Sequence, residues 1–194
     1  DSYTQQKLAS IGIENVINTS CPTTWKLDQE HCEKIPKLKS DYAIFTLTDY
    51  NKNPSLDKSF IKTLKSKYSK IFFWPQGIGD LKYFSNMDME MKNDIKILPP
   101  NLKSFNNLLQ NEKIDYVGTR LHAGIRALQN KKRALILSID NRSSEISHDI
   151  NLNTSRRGDQ QKLDFFINNE MPTNIELPLD NINMWKSQFS SLQS

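Results

Sequence analysis

The sequence of 194 residues holds two cysteines, Cys21 and Cys32. That is too few for the disulfide framework of a secreted scaffold, so reduced thiols are expected. His31 beside Cys32 adds a third potential metal ligand, but no CxxC knuckle or second ligand pair accompanies it, and no zinc site is expected. No run approaches the about 18 to 20 apolar residues of a membrane-spanning helix, the best candidates being Ile71–Trp74 and Ala134–Ile139. The opening residues, DSYTQQKLAS, lack an initiator methionine and the basic and apolar regions of an export signal, so the chain is expected to start partway through a longer protein. Charge of one sign is also scarce. Lys and Arg total 26 against 22 Asp and Glu, a net charge of +4, and aromatic and basic residues do not interleave, which argues against a nucleic-acid partner. There is no internal repeat or low-complexity tract.

What is present suffices for a folded domain: 37% hydrophobic residues can fill a core and are too many for a disordered chain. The cations are unevenly distributed. All six arginines (Arg120, Arg126, Arg133, Arg142, Arg156, Arg157) fall between 120 and 157, while eighteen of the twenty lysines lie outside that window. A guanidinium fork pairs bidentately with carboxylate or phosphate, whereas lysine is a solvated point charge, so this window reads as a place of small-anion recognition. Arg126 and Arg133 read as surface residues within it.

Strand-like runs alternate with helix-like ones. Tyr42–Thr48, Ile71–Trp74, Ile95–Leu98, Tyr116–Gly118 and Ala134–Ile139 read as strands. Ser55–Tyr68 after Pro54, the stretch from Leu102 to Leu109, and Leu121–Gln129 read as helices. Continuous apolar runs imply burial on both faces, so the expected fold is α/β, a Rossmann-like parallel sheet with helices on both faces. After Ile139 the segment NRSSEISHDINLNTSRRGDQ reads as polar connection, followed by packing helices at Lys162–Ile167 and Leu179–Leu192. Residues before 41 break the rhythm: Thr4–Ser10 reads as a short helix ended by Gly12, Val16–Asn18 as a short strand, and EHCEKIPKLKS as a charged connection. The expected division is 1–40 as the tail of a preceding domain and a linker, 41–175 as a Rossmann-like donor-binding domain, and 176–194 as a C-terminal packing helix.

In such a sheet, ligands sit beyond the carboxyl ends of the strands, where helices present free N–H groups. Four polar clusters should meet there: Thr48-Asp49-Tyr50, Trp74-Pro75-Gln76-Gly77, Gly118-Thr119-Arg120-Leu121-His122 and Asp140-Asn141-Arg142-Ser143-Ser144-Glu145. Arg120 and His122 flank Leu121 at a strand-to-helix junction, so an anion there would meet a guanidinium, an imidazole and backbone N–H groups together. The alternative, that His122 caps the helix while Arg120 pairs with an acid, stays open. His31 and His148 lie in polar contexts without a chemical role.

The stretch Asp115–Ile146, DYVGTRLHAGIRALQNKKRALILSIDNRSSEI, resembles the signature region of the polysaccharide pyruvyl transferase family. The hallmark there is Arg-Leu-His at a strand-to-helix junction, followed by a small-residue helix, an apolar strand and an acidic and basic turn. The resemblance extends to DSYTQQKLASIGIENVINTSCPTTW, to Thr48-Asp49-Tyr50 and to WPQGIGD at 74–80. It implies two Rossmann-like domains facing across a cleft, similar to the GT-B glycosyltransferases, with this sequence covering the end of the first and the whole second.

Members of the family move the pyruvyl unit of phosphoenolpyruvate onto sugar hydroxyls, usually as a cyclic ketal on a surface or exopolysaccharide precursor. The resemblance implies Arg120 and Arg142 as forks for phosphate and carboxylate, and His122 as the catalytic acid or base, or as a phosphate ligand. Asp49 or Glu145 would act as base or orient the sugar, Trp74 would offer an apolar face to it, and Thr119, Asn141, Tyr50, Gln76 and Gly77 complete the substrate-binding set. No metal is expected, because arginines and helix N-termini can stabilise the departing phosphate and no DxD-type pair is present. No cofactor is expected beyond phosphoenolpyruvate as donor. The expected acceptor is a sugar or lipid-linked oligosaccharide, in the cytoplasm or at the inner face of the cell membrane with peripheral membrane association. Two other readings are a GT-B-type glycosyltransferase half-domain binding a nucleotide-sugar, and a non-catalytic anion-binding module.

Overall fold

Buried apolar runs need cover on both sides, and the chain supplies it by alternating strand and helix. In the computed structural model, which describes residues 1–189, the elements run α1 (Ser2–Ala9), a 3-10 turn (Pro22–Thr24), α2 (Gln29–Glu33), β1 (Tyr42–Thr46), α3 (Pro54–Lys67), β2 (Lys70–Phe73), α4 (Ile78–Ser85), α5 (Met89–Lys92) and β3 (Ile95–Ile97). They continue through α6 (Leu102–Asn111), β4 (Ile114–Gly118), α7 (Leu121–Gln129), β5 (Ala134–Ser138), α8 (Asn141–Ile150), β6 (Thr154–Arg156), α9 (Gln160–Asn168) and α10 (Leu179–Ser187). All strand pairings are parallel, in the order β3-β2-β1-β4-β5-β6. This is the Rossmann order, and the direction of winding reverses between β1 and β4.

The period of two along each strand divides the core. Ile44, Phe72, Tyr116 and Ile136 face α6, α7 and α8, together with Leu27, Cys32 and Ile35 of the N-terminal segment. Ala43, Phe45, Phe73, Val117 and Leu135 face α3, α4, α5 and α9. The N-terminal segment is also tied down by hydrogen bonds, Ser2 N donating to Asp149 Oδ2 (2.6 Å) and Asn18 Nδ2 to the same oxygen (2.9 Å). No helix among the described residues is long and apolar enough to cross a membrane.

Several local expectations change. The polar segment after Ile139 contains α8 and β6. Two isoleucines one helical turn apart, Ile146 and Ile150, are enough to seat α8 on the core, with Asp140 accepting from Arg142 N at its start (3.1 Å). Strand β6 is Thr-Ser-Arg at the sheet edge, with no apolar residue to announce it. Helices α4 and α5 follow Gly77, where only a turn was legible. No strand forms at Val16–Asn18, and the charged stretch around Cys32 holds α2, started by Asp28 accepting from His31 N (2.8 Å). The last residues of the Leu179–Leu192 helix lie outside the described residues.

Arg133 is the clearest correction. It is fully buried rather than exposed, because partners for both of its terminal nitrogens are assembled around it. It donates to Asp115 Oδ2 (3.0 Å) and to the carbonyls of Phe166 (2.6 Å) and Lys37 (2.9 Å), and lies over the Phe166 ring (4.0 Å). Tyr68 donates to the same carboxylate (2.9 Å). This network staples β4, β5, α9 and the entry to β1 at the end of the sheet opposite the polar clusters. Arg126 is half-buried, bonded to Asn106 (2.9 Å) and Gln129 (3.0 Å). Arg157 is bound to Asp57, which also accepts from Tyr83 (2.6 Å). Removing one partner of a buried pair strands the other charge. Asp115→Ala should therefore lower unfolding stability by about 3–5 kcal/mol, read as a shifted urea midpoint with unchanged slope, whereas Lys34→Ala, in an exposed pair with Glu30, should leave the midpoint in place.

Candidate functional site

The switch point is where the polar clusters meet. Strand β4 ends at Gly118, and Thr119 then turns back on β1, its N–H donating to Thr46 O (3.2 Å). Arg120 N donates to Thr46 Oγ1 (3.2 Å), and Tyr116 OH donates to Arg120 O (2.8 Å), which fixes the junction before α7 begins. A Cβ at Gly124 would stand 2.4 Å from Ile136 Cγ1, so glycine there lets α7 press onto the sheet and hold its N-terminus at the strand edge. No side chain caps that N-terminus and no acidic residue stands in its first turn, leaving N–H groups and the positive end of the helix dipole open to a ligand.

Arg120 folds back rather than reaching outward. Its guanidinium contacts Asp80 Oδ1, lies 3.3 Å from Asp49 Oδ1, and sits over the Tyr50 ring (5.3 Å). Asp80 has no exposed surface and also accepts from the backbone N–H groups of Asp49 (3.1 Å) and Gln76 (3.0 Å). One carboxylate thus holds the loops after β1, β2 and β4 together. Gly79 makes this geometry available, since a Cβ there would stand 1.8 Å from Asp49 Oδ2. Of the two alternatives for Arg120, the structure has it paired with acids, while its buried Nε carries no hydrogen bond.

Two cavities open at this edge. The smaller, about 220 Å³, is lined by Tyr50, Gln76, Thr119, Arg120, Leu121, His122, Asp140, Arg142 and Ser143. The larger, about 550 Å³, has apolar walls of Leu102, Phe105, Ala123 and Ile125, with Lys26, Arg126 and Gln129 around them. Gln76 and His122 belong to both, so the two cavities share a wall.

The sequence-derived residues sort accordingly. Thr119, Arg120, His122, Arg142, Tyr50 and Gln76 line the small cavity, and Asp49 adjoins it through Arg120. Trp74 borders the larger one but is 4% exposed, stacked on Phe105 at 4.1 Å, and its indole N–H donates to Asn101 O (3.2 Å). It is a core residue with an edge in the groove. Asn141, Glu145 and Gly77 line neither cavity. The carboxylate that does line the small one is Asp140, bonded to Arg142 (2.9 Å) and Tyr50 OH (3.2 Å). Burial works against its charge, but the hydrogen bond and the charge of Arg142, with Tyr50, outweigh it and hold the carboxyl below its usual range.

Three residues at the site, Asp80, Asp140 and Cys21, carry no individual catalytic or substrate-binding role from the sequence. Asp80 stands there only within WPQGIGD, and Asp140 only within the polar cluster that follows the fifth strand. Cys21 is far away in sequence, yet its Sγ lies 3.6 Å from His122 Nε2 and 2.9 Å from Thr23 Oγ1. The contact with His122 is the main reason the thiol is drawn down to about 7, and the same contact pushes the imidazole above its ordinary value. Cys32 is buried, with Sγ 3.5 Å from Leu27 O, and His31 Nε2 meets Leu128 O (2.8 Å). Among the described residues no group of three or more His, Cys, Asp or Glu is placed to hold a metal ion.

The position of Asp80 generates a prediction. Asp80→Asn keeps the shape but removes the charge under Arg120, and with Arg120 partly solvated the expected loss is about 2–3 kcal/mol in thermal or urea unfolding. Amide exchange at Asp49 and Gln76, whose N–H groups Asp80 receives, should speed up, while exchange in the central strands follows only the global change.

The sequence model of the polysaccharide pyruvyl transferase family matches residues 1–141. No curated protein and no solved structure matches the chain. The matched stretch runs from α1 through β5 and includes Cys21, Asp49, Asp80, Arg120, His122 and Asp140. With 141 of 194 residues matched and Arg120-Leu121-His122 at the switch point of a Rossmann-ordered sheet, the chain belongs to the polysaccharide pyruvyl transferase family.

Proposed function

We propose that this unit binds phosphoenolpyruvate in the small polar cavity and passes its pyruvyl group to hydroxyls of a sugar lying in the larger groove. The observation that carries the reading is the shared wall: a polar cavity lined by Arg120, His122 and Arg142 abuts an apolar-walled groove, and His122 belongs to both. A donor with two anionic groups, a phosphate and a carboxylate, needs cationic forks and open N–H groups, which Arg142 and the α7 N-terminus offer. A sugar presents apolar C–H faces and hydroxyls, which suit apolar walls with a polar rim.

The chemistry follows from the donor. His122, as an imidazolium, gives a proton to the methylene carbon of phosphoenolpyruvate while a sugar hydroxyl adds at the neighbouring carbon and loses its own proton to a carboxylate. Departure of phosphate from that carbon, with addition of a second hydroxyl whose proton goes to the now neutral His122, closes the ketal. Asp140 fits the base role: it is held ionised by Arg142 in the free protein, and a donor that takes Arg142 away leaves the carboxylate more basic. Departing phosphate meets the α7 N-terminus, where preorganised N–H groups stabilise the charge. The same reading makes this unit the donor half of a two-domain, GT-B-like enzyme acting on a surface-glycan precursor, a sugar or lipid-linked oligosaccharide, at the inner face of the membrane.

Calorimetric titration of phosphoenolpyruvate tests the reading. Arg142 has 66% of its side chain exposed, so Arg142→Ala leaves the fold intact. Binding should weaken about tenfold or more in Arg142→Ala and in His122→Ala, the equivalent of one charge-assisted hydrogen bond. A nucleoside diphosphate that binds where phosphoenolpyruvate does not would favour nucleotide-sugar transfer and overturn the proposal.

A further inference from the structure

His122 is exposed and sits between the two cavities, and a side chain so placed is free to turn unless something holds it. Among the described residues, the one side chain that holds it is that of Cys21. Cys21 Sγ lies 3.6 Å from Nε2, while Nδ1 has no hydrogen-bond partner among the described residues. The sulfur is itself fixed. Its second contact is Thr23 Oγ1 at 2.9 Å, and the surrounding backbone is pinned by Thr24 Oγ1 to Cys21 O (2.6 Å), Gln129 Nε2 to Thr23 O (2.6 Å) and Trp25 Nε1 to Thr19 O (2.8 Å). Pro22 and Thr23, which follow Cys21, line the larger cavity.

We propose that Cys21 is a positioning residue for His122: its thiolate accepts the Nε2–H of an imidazolium and leaves Nδ1–H as the donor that His122 offers at the junction of the cavities. The consequence for catalysis rests on the donor-site reading above, but the pair itself does not. A thiolate beside an imidazole is the arrangement in which each group stabilises the charge of the other. The directions agree, since the contact draws the thiol down and the imidazole up. The other charged and titratable groups around His122 are few. Arg142 on α8 opposes its protonation, Lys26 and Arg126 face it across the larger cavity, and Arg120, Tyr50 and Asp140 line the smaller one. Cys32 serves as an internal control, because burial pushes its thiol up. Below the thiol's titration near 7 the sulfur is protonated and the ring is no longer held by charge.

Two measurements without donor or acceptor test this. The first uses the unaltered protein and iodoacetamide, whose iodide leaves as sulfur bonds to carbon, with each cysteine followed by mass spectrometry. Cys21 should react with a pH midpoint near 7 and Cys32 far more slowly. In His122→Ala the Cys21 midpoint should climb back toward about 8.5, the value of a free thiol. The second follows imidazole titration by NMR, with His31 and His148 reporting that the fold is kept. The His122 midpoint should fall in Cys21→Ala and equally in Cys21→Ser, which keeps a hydrogen-bond acceptor but not the charge. A Cys21 midpoint near 8.5 in the unaltered protein, or a His122 midpoint unchanged in both variants, overturns the proposal. Neither result bears on donor binding, which the calorimetry reads separately.

Discussion

A carboxylate without exposed surface must be met on every side, and Asp80 is met by a guanidinium and two backbone N–H groups from three different loops. Each loop follows a different strand, so the ion pair with Arg120 does for the site what the sheet does for the domain: it brings segments distant in sequence into one fixed arrangement. Burying these charges is unfavourable unless they are paired, and that requirement makes the arrangement specific. Any loop conformation that moves Gln76, Asp49 or Arg120 leaves a charge or an N–H unpaired. The position of the small cavity depends on this pairing, and so does the room for Asp49 that Gly79 provides.

The fold was largely legible because its signals are local. A run such as ALILS or YAIFT can only be a strand buried on both faces, and Leu121–Gln129 shows its helical stripe within one segment. Legibility failed where the stabilising contact is nonlocal or the segment is polar. Strand β6 has no apolar residue and is a strand only because β5 offers it an edge. Helix α8 depends on two isoleucines that polar neighbours conceal, and Arg133 reads as surface because its five-donor side chain normally is. Nothing adjacent in sequence indicates that Asp115 and three main-chain carbonyls wait for it.

The site shows the same division. That Arg120, His122, Thr119, Tyr50, Gln76 and Arg142 should converge follows from strand order, since all stand just past strand ends on one edge of a parallel sheet. What each does on arriving there does not follow, because it depends on partners from elsewhere. Arg120 is committed to Asp80 and Asp49, while Arg142, held only by Asp140 and Tyr50 at the surface, has the freedom to exchange partners. Cys21 reaches His122 across 101 positions of chain, a contact that spacing cannot reveal.

The arginines gathered between 120 and 157 therefore divide by what surrounds them rather than by what they are. Arg133 and Arg157 are spent on buried carboxylates. Arg133 joins strands and α9 at the end of the sheet remote from the cavities, where a fixed geometry stabilises the fold. Arg120 uses the same chemistry at the opposite edge, and its partners stand on α4 and on the loop after β1 rather than on strands. Arg142 lies in the first turn of α8, mostly solvated, with a carboxylate partner that also lines the cavity. An incoming anion competes poorly for Arg120, which would strand a buried Asp80, and well for Arg142, whose Asp140 can be left to solvent. Under the proposed donor-binding reading, the exposed guanidinium would be the movable contact and the buried one the frame against which it moves.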